Sequence, residues 1–143
     1  MRGACQLCED RVLFWVSLVA FLAVWLVGGI ANAQETNDVL VALRVAKEYQ
    51  LNPFQTSALF CVRAIENGRE GREYGVLDNR AKGRDQATQA RWAAGSIKRR
   101  LLSMKDLTSF AARWAPIGAD NDPKGLNRNW QLNLEMCLAQ LGK

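Results

Sequence analysis

The sequence predicts a mainly α domain with a small irregular wing, preceded by an N-terminal signal helix. Three observations carry that expectation. Apolar residues recur at helical spacing in five segments beyond residue 34; the only extended-looking stretch, Tyr74 to Leu77, is short; and an apolar run from Val12 to Ile30 follows a charged start.

The first 33 residues read as an export signal. Arg2 and Arg11 precede the apolar run, and Ala31-Asn32-Ala33 gives the small-x-small pattern of a cleavage site ahead of the polar Gln34-Glu35-Thr36. The run is also long enough to cross a bilayer as an uncleaved anchor, so residues 12–30 offer a route to the membrane if the signal is kept. Either way the segment 34–143, about 110 residues and one domain by length, is expected outside the cytoplasm, periplasmic or extracellular. The two Lys/Arg and two Asp/Glu of the signal cancel, so the domain keeps the formal net charge of +5 and suits an anionic partner such as a cell wall or a membrane surface. Solubility alone would also account for a charge this modest.

The first helix is expected from about Glu35 to Tyr49, with Val39, Leu40, Leu43 and Ala46 as its apolar face, ended by Leu51-Asn52-Pro53. A second helix fits from about Phe54 to Asn67 with Ala58, Cys61, Val62 and Ile65 on one stripe, and Gly68 closes it. Arg69 to Arg84, with three glycines among charged residues, is the wing. A third helix fits from about Gln86 to Met104, weakened at Gly95; Asp106 caps a short helix through Arg113; and Asn127 caps a last helix with Trp130, Leu134, Cys137, Leu138 and Leu141 on its core stripe. Cys5 and Cys8 lie in the signal and lack a second ligand pair. Cys61 and Cys137 are an even pair on two core stripes, most simply one disulfide in an oxidising compartment, worth about 4 kcal/mol by loop closure.

The chain contains no histidine, which removes Ser-His and Cys-His nucleophiles and His-based zinc sites. It also lacks the glycine-rich signatures that cradle phosphates, which argues against nucleotide binding; no nucleic acid is expected as a partner, and no cofactor or metal is implied. Carboxylate chemistry remains. Glu66 ends a half-apolar helix, near the negative end of the helix dipole and partly withdrawn from water, two influences that favour the protonated carboxyl a general acid needs. A solvated glutamate in a last turn fits the same pattern.

Tyr49-Gln50-Leu51-Asn52-Pro53, a helix, and then Ala64-Ile65-Glu66-Asn67-Gly68 resemble the entry and acid-bearing helix of the lysozyme-like lytic transglycosylases. Glu73-Tyr74-Gly75-Val76 is similar to the glycine-centred segment that lines the cleft in that superfamily. Arg113-Trp114-Ala115-Pro116, then Asn121-Asp122 and Trp130, resemble its Arg-Tyr-Ala-Pro element and the aromatic helix after it, as found in phage and bacterial wall-lytic domains. The resemblance spans residues 38 to 140, with Asn67 standing where the family usually has serine.

The resemblance implies a lysozyme-like fold and cleavage of peptidoglycan glycan strands. Glu66 would protonate the leaving oxygen of a β-1,4 bond between N-acetylated sugars. In a transglycosylase the same Glu66 then acts as base while a hydroxyl of the sugar closes an anhydro ring. In a hydrolase a second carboxylate is required, with Glu73 first in line and Asp78 and Asp122 behind it; an ion pair of Glu73 with Arg69 or Arg72 is an equally good reading. Tyr74 and Trp114 are candidates to stack on sugar rings, Gly75 to line the cleft, and Asn121 and Asp122 to bind acetamido or hydroxyl groups, whereas Trp92 and Trp130 fall on core stripes. Two other functions stay open: a wall-binding or assembly factor of the same fold without activity, and a small basic disulfide-bonded protein acting on membranes or protein partners.

Overall fold

The computed structural model describes residues 37–66, 68 and 71–142. The signal or anchor, Cys5, Cys8, Asn67 and Arg69 lie outside the described residues. One compact unit runs from Val39 to Lys143. It is mainly α, with five α-helices and no strand among the described residues: α1 over residues 37–48, α2 Pro53–Glu66, α3 Gln86–Arg100, α4 Leu107–Trp114 and α5 Trp130–Leu141, with short 3-10 turns at Met104–Asp106 and Leu126–Asn129.

The second helix is the hub. It packs on α3 along one side and on α5 along another, and its expected stripe is in place: Ala58, Cys61 and Val62 are buried, together with Leu59, while Ile65 packs at the edge of the core. Each large apolar side chain held this far from water contributes on the order of 1.5–3 kcal/mol. Cys61 and Cys137 are joined, with Cα atoms 5.7 Å apart, so the covalent link reinforces the α2–α5 contact. The start of α2 is fixed by a reciprocal cap. The Gln55 amide donates to Asn52 Oδ1 at 2.8 Å and the Asn52 amide donates to Gln55 Oε1 at 3.2 Å, with Pro53 in the first helical position where its missing N–H costs nothing. Gln55 is itself buried, and its Nε2 donates to the carbonyls of Lys98 and Leu101, which closes the end of α3.

Several expected faces and boundaries are corrected. Of the expected face of α1 only Ala46 is buried, and Ala42 and Val45 complete the core face; Val39, Leu40 and Leu43 are exposed. Its end is a left-handed turn at Gln50 (φ 53°), with the Leu51 amide returning to the Ala46 carbonyl and the Gln50 amide to that of Lys47. The third helix stops at Arg100 rather than Met104. Asp106 does not cap α4 with its side chain: its carboxylate folds back to accept from the Leu102 and Ser103 amides and the Ser103 hydroxyl. The last helix begins at Trp130, three residues after Asn127, and Leu141 is half exposed rather than in the core.

The wing from Gly71 to Arg84 is built of turns and held by one buried glutamine. Gln89 of α3 is fully enclosed and donates through Nε2 to the carbonyls of Gly71, at 2.9 Å, and Ala81, at 2.6 Å. A side-chain amide thereby does for two distant wing carbonyls what a neighbouring strand does in a sheet.

Candidate active site

Glu66 is the final residue of α2, half-buried, with its side chain directed over the wing toward α4 and α5. The two helices bring it a pair of indoles. Trp114, at the end of α4, and Trp130, at the start of α5, each donate Nε1–H to Glu66 Oε1 at 3.0 Å. Local sequence explains both positions. In α4 the buried Leu107, Phe110 and Ala111 form one stripe, and Trp114 follows it one turn on, before Pro116. In α5 Trp130 shares a stripe with Leu134 and Leu138. Phe110 lies beneath both indoles, 5.4 Å from the Trp114 ring and 6.1 Å from that of Trp130, and the two indoles are 6.4 Å apart at 28°. Ring packing of this kind holds the two indoles side by side.

The other carboxylate oxygen, Oε2, faces Gly75. This residue has φ +66°, and a Cβ placed on it would overlap Oε2 and Cδ of Glu66 outright. Only glycine both adopts that backbone easily and leaves the carboxylate room. The carboxylate opens into a cleft of about 360 Å³ lined also by Arg72, Leu77, Ala115, Asn121 and Asn127. Beyond Gly75 and Leu77 the cleft continues for about 480 Å³ past Asn121 to Trp92, Ser96 and Arg113, with Trp114 as a wall throughout. The chain matches no family model, no curated protein and no solved structure.

Of the expected site residues, Glu66, Gly75, Trp114 and Asn121 meet in this cleft. Cys61 and Cys137 form the disulfide and do not line the cleft. Tyr74 does not take part: it is 0% exposed, enclosed in the core, and offers no ring face to a sugar. The swap is made by a turn: the Gly75 amide donates to the Arg72 carbonyl, Tyr74 within that turn is directed inward, and Gly75, at φ +66°, lines the cleft. Glu73 is likewise buried. Its Oε1 accepts from the Gly71 amide at 3.0 Å, so it braces the wing turn instead of flanking a scissile bond, and Arg72, the partner considered for it, is exposed on the cleft side. Asp122 spends both oxygens on the Leu126 and Asn127 amides, each at 2.8 Å, and so starts the 3-10 turn ahead of α5; Asn127 then donates to the Pro116 carbonyl at 2.9 Å. That tied loop holds Asn121 at the rim. Asp78 lines the far part of the cleft, but Arg80 holds it through paired side-chain bonds and a backbone amide, which lowers its pKa to about 2. Arg80 in turn lies over the Trp92 ring, 4.6 Å from its centre.

Trp130 is the residue that sequence reasoning placed only in the core. Its ring is there, at 6% exposure, yet its N–H completes the grip on Glu66. The usable signal was chemical: a buried indole N–H requires an acceptor. Among the described residues no group of three His, Cys, Asp or Glu side chains gathers in a way that could hold a metal ion.

Proposed function

We propose that this domain cleaves the glycan strands of peptidoglycan outside the cytoplasm, as a lysozyme-like lytic transglycosylase with Glu66 as its acid and base. One observation carries the reading: Glu66 lies in an open aromatic cleft with Oε1 engaged by two indole N–H groups, while Oε2 lies against Gly75 and accepts no hydrogen bond among the described residues. An oxygen that accepts two N–H bonds has no lone pair to spare for a proton, so a protonated Glu66 carries its proton on Oε2. That proton passes to the glycosidic oxygen as the bond from this oxygen to the anomeric carbon breaks. The resulting carboxylate then takes the proton of a hydroxyl on the same sugar, whose oxygen bonds the anomeric carbon and closes the anhydro ring. No water is consumed, and Glu66 ends protonated as it began.

The lyase route is preferred over hydrolysis because the second carboxylates considered for it are committed elsewhere: Glu73 is turned into the wing, Asp122 caps a turn and Asp78 is held by Arg80. Trp114 supplies the flat apolar wall on which a sugar ring can stack, and Asn121 a side-chain amide at the rim for an acetamido or hydroxyl group.

The experiment is mass spectrometry of digests of purified sacculi. Anhydro-ended muropeptides are expected from the native protein, and Glu66→Gln, which preserves shape and the indole bonds but donates no acidic proton, should lower their release by about 10²- to 10⁴-fold. Reducing ends would convert the reading to hydrolysis. Binding to sacculi with no product would leave a wall-binding factor, and neither binding nor product would refute the assignment.

A further inference from the structure

The cleft does not end at Trp92 and Ser96. Ser96 and Arg113 also line an adjoining hollow of about 240 Å³ completed by Arg99, Arg100, Phe110 and Trp114. Three arginine side chains from two helices therefore line one small depression that opens from the cleft holding Glu66, and the guanidinium of one of them, Arg99, lies at its edge over Gly95. Some basic side chains of the domain are engaged: Arg80 pairs with Asp78, Arg91 with Glu48, and Lys98 donates to the Tyr49 carbonyl. Arg99, Arg100 and Arg113 pair with no carboxylate among the described residues. A basic residue in the last turn of α3 or α4 complements the helix dipole. That alone does not account for three arginines converging on one concavity, where like charges raise each other's energy unless an anion enters.

We infer that this hollow is a carboxylate subsite for the peptide stem carried by the glycan strand, an inference that rests on the function proposed above. Guanidinium groups match carboxylates in geometry, with paired N–H donors opposite two oxygens. Because the hollow opens from the sugar-binding cleft, its anion must be attached to the strand occupying that cleft, and the stem peptides on alternate sugars of peptidoglycan are the carboxylate-bearing branches there. The domain would then favour strands still carrying their stems over strands stripped of them.

Equilibrium binding of soluble glycan fragments to the native protein tests this. Three probes are compared: fragments with intact stems, the same fragments with the stem carboxylates converted to amides, and fragments without stems. Exposed ion pairs are each worth at most a few-fold in affinity, so three should add to a preference of about 10-fold for the carboxylate form, weakening with salt. In Arg99→Gln/Arg100→Gln/Arg113→Gln that preference should fall to about 1; all three side chains are exposed, and an unchanged melting temperature checks the fold. Equal binding of the three probes by the native protein, or a preference that survives in the triple variant, overturns the inference. Salt-sensitive binding to vesicles rich in anionic phospholipid, abolished by the same substitutions and without discrimination among stems, overturns it in favour of a membrane surface. Sacculus digestion reads the parent proposal separately: anhydro products with no stem preference mean that the cleavage reading stands and the subsite falls.

Discussion

Gly75→Ala tests the geometry of the site more sharply than removal of Glu66. Two costs follow. The first is local: at φ +66° an L-residue is disfavoured by about 1 kcal/mol. The second is the new methyl group, which overlaps Oε2 and Cδ of Glu66 and would lie 2.7 Å from Oε1. The carboxylate is the end of a flexible side chain, so it moves, by about 1 Å, and a shift of that size is enough to cost about 10²-fold in rate. The same shift takes Oε1 out of bonding range of indoles now at 3.0 Å. Trp130, buried, then loses its acceptor at about 1–3 kcal/mol, whereas half-buried Trp114 can turn to water. The total is about 2–4 kcal/mol, or a fall of the order of 10 °C or more in Tm for a domain of this size.

Gly118→Ala is the control. Gly118 has φ +77° and open space where its Cβ would be, so it isolates the backbone cost. The assays are muropeptide release, thermal unfolding by circular dichroism and tryptophan emission; all three should change for Gly75→Ala, whereas Gly118→Ala should show only the smaller fall in Tm that the backbone cost produces. A Gly75→Ala protein that releases muropeptides at the native rate, with native emission and no more loss of Tm than the control, would refute both the close approach of Glu66 and its role.

Further outcomes follow from other parts of the fold. Gln50 holds φ 53° at the end of α1, so Gln50→Gly should stabilise the domain by about 0.5–1 kcal/mol, read as a rise in Tm. Reducing the Cys61–Cys137 bond, which spans 76 residues, should cost about 4 kcal/mol by loop closure and make the denaturation midpoint sensitive to reductant; an unchanged midpoint would show that the α2–α5 packing suffices without it. Asp85 accepts from the Thr88 amide at the start of α3, which holds its pKa below the ordinary 3.8, and Arg80 holds Asp78 at about 2. Both folded-state values are depressed, so their contribution is complete above the unfolded value near 3.9, and is lost as pH falls from about 4 toward 2. Asp85→Ala should cost about 1 kcal/mol at neutral pH and flatten part of that acid loss in a pH series of melts.

Composition and local pattern sufficed for the helical class, the stripe of α2, the disulfide pair, the position of Glu66 at a helix end and the exclusion of histidine chemistry. These are local or compositional facts: a stripe at 3.6-residue spacing, a glycine after a helix, two cysteines on core positions. Some of what was missed was also legible. Asn52-Pro53-Phe54-Gln55 is a capping box with proline in the first turn, and it marks the start of α2 directly. The face of α1 was only partly legible, because Ala46 can continue either the stripe of Val39, Leu40 and Leu43 or that of Ala42 and Val45, and only the shape of the neighbouring surface selects the second.

Tertiary structure alone decided the site. Trp114 and Trp130 lie 48 and 64 residues from Glu66, and no spacing rule says that their N–H groups share one of its oxygens. The Glu73-Tyr74-Gly75 segment offered three candidates in a row, of which only the glycine reaches the cleft. Which neighbour turns inward depends on the carbonyls that Gln89 holds and on the Gly71 amide that takes the Glu73 carboxylate, contacts set by long-range packing and invisible to local pattern. Side-chain identity limited the candidates for acid–base chemistry to carboxylates, and burial and distance, which exist only once the helices are packed, singled out Glu66 among them.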